Sequence, residues 1–402
     1  MFADRVVVLG VTGGIAAYKS AELVRSLKKK GADVYCVMTQ AAQEFITPLT
    51  LQTLSRNPVF TEMFGKPGLW NVEHIALAEK ADLLLVAPAT ANFIGKLSQG
   101  LADDLLTTTV MACKKPVLIA PAMNTNMYTN PIVQGNLRKL ESLGYHFAAP
   151  GSGELACGAV GAGRLAGLNE IMDRAEGLLA TDKPLAGTHV LVTAGPTREM
   201  LDPVRYLTNY STGKMGYALA KKASLLGAQV TLISGPTQLR PFHGVRLIKV
   251  QTAGQMYEAV MAHYERSQVI VKSAAVADFR PKETQRDKIK KQTADLTLEL
   301  ERTADILAEL GAKKGGRLLI GFAAETRDVL DYAKEKIVKK NLDMIVANDL
   351  KLPGAGFAHD TNVVSLLFPD GSSKKLPIMT KEEVALEIWQ EVIKLLKRSD
   401  VK

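Results

Sequence analysis

The feature that most constrains this chain is a series of short apolar runs that do not alternate with polar residues and that break at glycine, proline or small polar residues. VVVLGV, DVYCVMT, DLLLVAPAT and PVLIAPAMN succeed one another through the first half, with helix-patterned segments between them. Strands that are apolar on both sides must be buried on both faces, which demands a parallel sheet with helices above and below it. AAYKSAELVRSLKKKG carries the apolar spacing of such a helix and closes at Gly31.

At TDKPLAGT (residues 181–188) charge, proline and glycine interrupt the pattern. It then restarts with HVLVTAG, a helix over YALAKKASLLGA, QVTLISG, VIVKSAAVADF and RLLIGFAAET. A chain of 402 residues is too long for one core. The expectation is two doubly wound, Rossmann-like α/β domains with parallel sheets, spanning residues 1–182 and 186–402. Ligands in such folds sit outside the carboxyl ends of the strands, and the motifs below all fall there.

Composition narrows the partners. Charged residues make up 23% and hydrophobic ones 47%, ordinary values for a soluble globular chain. Three scattered cysteines do not form a disulfide framework, so a reducing cytoplasm is expected. The N-terminal apolar run is too short to cross a membrane. A net charge of +9 invites anionic partners. The basic residues are dispersed rather than interleaved with aromatics, which favours small phosphorylated ligands over nucleic acid, with a merely solvated basic surface as the plainer reading.

LGVTGGIAAYK is a glycine turn between strand and helix, and a helix N-terminus suits a phosphate. A dinucleotide fingerprint would need glycine at Thr12, and the second strand, ending VMTQ, lacks the acid that holds a ribose. Thr39 instead offers a hydroxyl to a phosphate or ribityl chain. PATAN (88–92) and PAMNTNMY (121–128) follow interior strands and so reach the same sheet edge. The glycine-rich stretch GSGELACGAVGAGRLAG (151–167) carries Cys157 and reads as a mobile flap.

With VEHIAL around His74, these four motifs resemble the flavin-dependent cysteine decarboxylases, which include phosphopantothenoylcysteine decarboxylases and the peptidyl-cysteine decarboxylases of lantibiotic maturation. The resemblance spans nearly all of the first domain and implies a flavodoxin-like, FMN-binding decarboxylase. By that resemblance Gly13, Gly14, Ile15, Thr39, Ala89, Thr90 and Asn92 contact FMN. His74 is the base near the substrate thiol, Asn124 holds the substrate carboxylate, and Cys157 donates the proton that completes reduction of the enethiol left after CO₂ loss. Arg164, in the same flap, is a candidate phosphate or carboxylate contact. Cys36, Cys113, Met123 and Met127 read as structural.

The second domain contains STGKMG, which lacks the spacing of a phosphate-binding Walker loop. Lys214 nevertheless sits in the first turn of a helix, where the dipole disfavours a cation unless an anion or a carboxylate is close. AAVADFRP then precedes RDKIKKQ, an acid followed by clustered lysines that suits a metal-bound triphosphate. On charge alone the lysine run is a solvated face. Together GPTRE, DPVRY, TGKMG, AAVADF, KIKKQ, GFAAET and KKNLDMIVAND resemble the phosphopantothenate–cysteine ligase domain over most of residues 188–368.

That resemblance implies activation of the 4′-phosphopantothenate carboxylate by CTP as an acyl-cytidylate, releasing pyrophosphate, followed by attack of cysteine's amine and loss of CMP. It makes Asn209 a hydrogen-bond donor to the acyl carbonyl and Lys288 a partner of the triphosphate. Asp278, Thr303, Ala304, Asp305, Ile306, Phe322, Lys336 and Lys340 match nucleotide contacts, with Asp278 also holding Mg²⁺. Arg205 matches an arm that reaches across a ligase dimer. TADI (303–306) and NYSTGK depart from the family's N-P-D-I and N-H-S-S-G-K.

Decarboxylase before ligase on one chain is the arrangement of the bacterial bifunctional coenzyme A biosynthesis enzymes. There the flavin sites form between subunits of a trimer and the ligase sites within a dimer, implying a dodecamer. The competing readings are an NAD-linked oxidoreductase with two Rossmann domains and a non-catalytic regulatory relative of the flavin decarboxylases.

Overall fold

The computed structural model describes residues 2–63, 73–154, 158, 160–290, 297–325, 329–349 and 359–399. The chain divides into two compact units, Met1–Thr181 and Asp182–Lys402.

In the first unit, β1 (Val6–Val11), β2 (Asp33–Met38), β3 (Val59–Phe60), β4 (Leu83–Ala89), β5 (Val117–Pro121) and β6 (His146–Phe147) form a sheet in the order β3-β2-β1-β4-β5-β6. Every pairing is parallel. Without the two-residue β3 at the edge, this is the flavodoxin-like order, and its switch point falls between β1 and β4.

Strand alternation explains why the runs are apolar throughout. Val7, Leu9 and Val11 face the helices Lys19–Lys29 and Leu168–Leu179 through Leu23, Leu27, Ile171 and Ala175. Val8, Leu84 and Val86 face Ala91–Gln99 and Leu105–Ala112 through Phe93, Ile94, Leu106 and Val110. Thr90 caps the first of these latter helices by accepting from Phe93 N–H at 3.3 Å, and Asp104 caps the second with a reciprocal capping box.

The glycine-rich stretch is more ordered at its flanks than a loop. β7 (Gly151–Glu154) and β8 (Val160–Arg164) pair antiparallel, with Gly153 opposite Gly161. Residues 155–157 and 159, Cys157 among them, lie outside the described residues.

The second unit contains β9 (His189–Ala194), β10 (Arg198–Met200), β11 (Tyr206–Thr208), β12 (Gln229–Ser234), β13 (Arg246–Lys249), β14 (Val269–Lys272), β15 (Phe279–Pro281), β16 (Leu300–Arg302), β17 (Leu318–Glu325), β18 (Met344–Asp349), β19 (Thr361–Asn362), β20 (Val364–Leu367) and β21 (Ser373–Lys375). Its main sheet has the order β13-β12-β9-β14-β17-β18-β20-β21. The first six strands are parallel. β20 and β21 are antiparallel, a departure from the fully parallel expectation. Only a tight turn at Gly371 (φ 82°) joins them, too short for the crossover that a parallel strand needs.

One face of this sheet packs on Lys214–Leu225 and Lys381–Ser399 through Val192, Val271, Ile320 and Val346. Trp389 fills that layer, fully buried, and its indole N–H donates to the Leu219 carbonyl at 2.9 Å. The other face packs on Ala253–Met261, Ile306–Ala312 and Val329–Lys339 through Leu191, Ile270 and Ile345.

Candidate active sites of the two units

In the first unit the loops that follow β1, β2, β4 and β5, together with β8, enclose a cavity of about 1230 Å³. Gly13, Gly14, Ile15, Thr39, Thr90, Asn92, Asn124 and Arg164 all line it. Ala89 lies beneath it, fully buried, and its carbonyl accepts from Ala122 N–H at 3.0 Å.

Thr12 shows why this is not a dinucleotide turn. Its buried hydroxyl donates to the Pro88 carbonyl at 2.8 Å and accepts from Thr90 N–H at 3.0 Å. The loops after β1 and β4 are thereby tied together at the position a dinucleotide fingerprint reserves for glycine. Gly13 is needed for close approach, since a Cβ there would stand 2.4 Å from that of Ala41.

Two observations mark where an anion-bearing ligand fits. The Thr39 hydroxyl oxygen is buried in this wall without a hydrogen-bond partner among the described residues. Lys19, at the start of its helix, has its pKa lowered by burial and by the Arg164 guanidinium. Two cations converging on one cavity favour an anion between them. Lys96, also in the wall, is committed to Asp103 (2.8 Å) and Asp104 (3.5 Å).

The PAM loop and the hairpin are locked together. Met123 N–H donates to Gly163 O at 3.0 Å, and Asn124 Oδ1 accepts from Asn126 N–H at 2.8 Å. That bond fixes which end of the Asn124 carboxamide is the acceptor. His74 stands second in the helix Glu73–Lys80, half-buried and outside this wall.

In the second unit a cavity of about 710 Å³ opens at the carboxyl ends of the sheet. Asp278, Thr303, Ala304, Asp305, Ile306, Phe322, Lys336 and Lys340 all line it. Thr303 donates through its hydroxyl to Ala277 O (2.6 Å) and through its N–H to Asp278 O (3.0 Å), which sets the 303–306 turn against the AAVADF loop. Asp305 caps the helix Ile306–Ala312 through Ala308 N–H (3.0 Å) and pairs with Lys340 (2.9 Å). Burial works to raise its pKa, but the cap and Lys340 hold it below the ordinary carboxylate range. Lys272 closes β14 in this wall, and burial together with Lys340 pushes its pKa down to about 8, opposed by Asp305 and Asp278.

Lys214 has the carboxylate its position requires, with Asp360 2.6 Å away. Asn209 is exposed and outside the wall, and its amide donates to the Ala275 (3.1 Å) and Val276 (3.3 Å) carbonyls. A role at an acyl carbonyl therefore requires one of those bonds to be exchanged. Lys288 is likewise exposed and outside the wall.

Sequence reasoning missed the anchor of this region, Asp202. It is fully buried, and it accepts from Val204 N–H (2.8 Å), Arg205 N–H (2.8 Å), the Arg205 guanidinium (2.6 Å) and Ile289 N–H (3.1 Å). Burial opposes its charge, yet these donors hold its carboxyl well below the usual range. Asp202 thus joins the arm formed by β10 and β11 to the lysine run. Among the described residues no cluster of three His, Cys, Asp or Glu side chains could hold a metal ion, and no helix is long and apolar enough to cross a membrane.

Comparison with known proteins supports a two-part enzyme. The Flavoprotein family model matches residues 3–180, and that of the DNA/pantothenate metabolism flavoprotein C-terminal domain matches residues 185–396. The coenzyme A biosynthesis bifunctional protein CoaBC of Bacillus subtilis (strain 168) is 52% identical over 402 residues, 99% of each chain. That of Vibrio cholerae serotype O1 is 48% identical over 386 residues, 95% of this chain and 96% of its own. A crystal structure of the C-terminal domain of such a protein is 46% identical, covers 54% of this chain and all of that one, and superposes with a TM-score of 0.47. The NAD-linked and non-catalytic readings do not survive these matches. The chain belongs to the family of bifunctional coenzyme A biosynthesis enzymes, in which a flavoprotein decarboxylase domain stands beside a phosphopantothenate–cysteine ligase domain.

Proposed function

We propose that residues 1–182 carry the decarboxylase, with FMN in the first cavity, and that residues 186–402 carry a CTP- and Mg²⁺-dependent ligase. The observation that carries this division is the gathering, in the second cavity, of Lys272, Lys336, Lys340, Asp278 and Asp305 from separated segments of the chain. That is the charge pattern a nucleoside triphosphate needs.

The first cavity fits FMN through the unpartnered Thr39 hydroxyl, the Gly13–Gly14 turn and the facing cations Lys19 and Arg164. First-turn N–H groups at residues 14–16 hold the phosphate, and Thr39, Thr90 and Asn92 position the remainder. FMN supplies the two-electron chemistry on the substrate thiol. Asn124 binds the departing carboxylate through its amide end, and Cys157, in the glycine-rich stretch whose Gly163 is fastened to the Asn124 loop, delivers a proton to the enethiol carbon. His74 takes the thiol proton. Its place outside its own chain's wall favours a site completed by a second copy, in keeping with a trimeric arrangement of the flavin sites.

In the ligase, Asp278 would hold Mg²⁺, which would neutralise charge on the nucleotide phosphates. Asn209 orients the acyl carbonyl, and Lys288 closes on the triphosphate from the segment that Asp202 anchors. Incubation of the pure protein with phosphopantothenate, cysteine and CTP-Mg²⁺ should release CMP and CO₂ in equal amounts. Denaturation should release FMN. CMP without CO₂, or a colourless protein, would remove the decarboxylase half.

Lys272 adds a pH signature. Its charge is lost as pH rises through about 8, well below the value of an unburied lysine, so an anionic nucleotide loses one partner there. The KM for CTP is expected to climb between about pH 7.5 and 9.5, and Lys272→Met should flatten that climb. A pH-independent KM in the unaltered protein would exclude Lys272 from the nucleotide site.

A further inference from the structure

The second cavity has a face that, of the residues matched to nucleotide contacts, holds only Phe322. Lys272 shares the side of the sheet occupied by Ile270, which packs with Ile306 and Leu307 next to Asp305. Phe322 and Asn348 share the opposite side, with Ile320, Val346 and Val364, and Asn362 lines the same cavity. Asn348 pairs with Val364 across β18 and β20. Asn362, in β19, stands two residues before Val364 and lines the same cavity, so one small ligand can reach both.

Both asparagines are buried, Asn348 8% exposed and Asn362 4% exposed. Both carboxamide oxygens lack any hydrogen-bond partner among the described residues. Two buried acceptors left unpaired in one cavity wall are unfavourable unless something brings them donors. The same wall carries Lys214, paired with Asp360, and Lys381, which donates to the His359 carbonyl. It therefore presents acceptors for an ammonium beside cations for a carboxylate.

We propose that Asn348 and Asn362 seat the amino-acid co-substrate of the ligase, their oxygens accepting from its α-ammonium while its carboxylate lies toward Lys214 and Lys381. This inference rests on the assignment of the second cavity to the ligase. Triphosphate oxygens only accept hydrogen bonds and gain nothing from two carboxamide oxygens. The amine, by contrast, arrives with three donors. A seat across the sheet edge from the nucleotide residues delivers it to an acyl-nucleotide held between the two faces.

The test uses the full chain and two readouts. The first is a single-turnover burst of pyrophosphate from phosphopantothenate and CTP without cysteine. The second is cysteine-dependent CMP release. Asn348→Leu and Asn362→Leu keep the size of the side chain and remove the acceptor. Each is expected to raise the KM for cysteine about tenfold or more with the burst unchanged, and Asn348→Asp should return it to within roughly threefold of the starting value. If the leucine variants do not fold, Asn348→Ser and Asn362→Ser carry the same expectation. An unchanged cysteine KM, or a rise confined to CTP or phosphopantothenate, would overturn the seat. Absence of any burst in the unaltered protein would overturn instead the ligase assignment on which it rests.

Discussion

Gly163→Ala is expected to lower kcat/KM for decarboxylation by about 10²-fold or more, while cysteine ligation stays within roughly twofold. Gly163 has φ 143°, a conformation that side chains rarely adopt, and a Cβ there would stand 2.3 Å from the Met123 carbonyl oxygen. No rotamer relieves that contact, because the backbone fixes the Cβ position and its partner is a backbone oxygen. The hairpin must lift, breaking the bond from Met123 N–H to Gly163 O. Asn124 is the next residue on one side of that bond, and β8 of the hairpin lies on the other. The residue assigned to the substrate's carboxylate is therefore displaced with it. CO₂ release from supplied phosphopantothenoylcysteine checks the expectation, and a rate like that of the unaltered enzyme would show that the hairpin's seating is irrelevant to catalysis.

Asp202→Ala should act on the other activity alone, lowering CMP release about 10²-fold and leaving decarboxylation of added phosphopantothenoylcysteine unchanged. Removing the carboxylate leaves the Arg205 guanidinium, with its remaining bond to the Ile289 carbonyl (2.7 Å), and the Val204 and Ile289 N–H groups without their shared acceptor. The lysine run then loses its fixed place. The charge on Asp202 favours the folded state above the ordinary aspartate pKa of about 3.9 and is lost only as pH falls through its depressed native value. Ligation should consequently tolerate mild acid without loss of the arm. Equal ligation rates with and without Asp202 would sink the anchoring role.

The parallel sheets were legible because buried strands have an unmistakable composition. Both units also place the PATAN, PAMN, AAVADF and GFAAET segments at carboxyl strand ends, as the motifs suggested. The hairpin of residues 151–164 was not legible, since glycine has no side chain with which to display alternation. Lys272 and Asn348 did leave a signal, a polar residue following a run of buried apolar ones, which a motif-led reading passes over. Asp202 left none: an aspartate in LDPVRY looks like a turn residue until the fold brings Ile289 to it. Asn209 and Lys288 stand outside their cavity because matching a motif assigns chemistry without assigning side-chain direction.

The tie made by Thr12 bears on how such a loop can change over generations. Glycine at that position would bring the turn closer to the dinucleotide pattern, yet it would also cut two hydrogen bonds that hold the loops after β1 and β4 in register, each contributing about 1 kcal/mol. A lineage drifting from one ligand class to the other must therefore pass through a loosened intermediate that serves neither well. The two phosphate turns, so alike as strings of letters, are separated by a valley rather than by a single step.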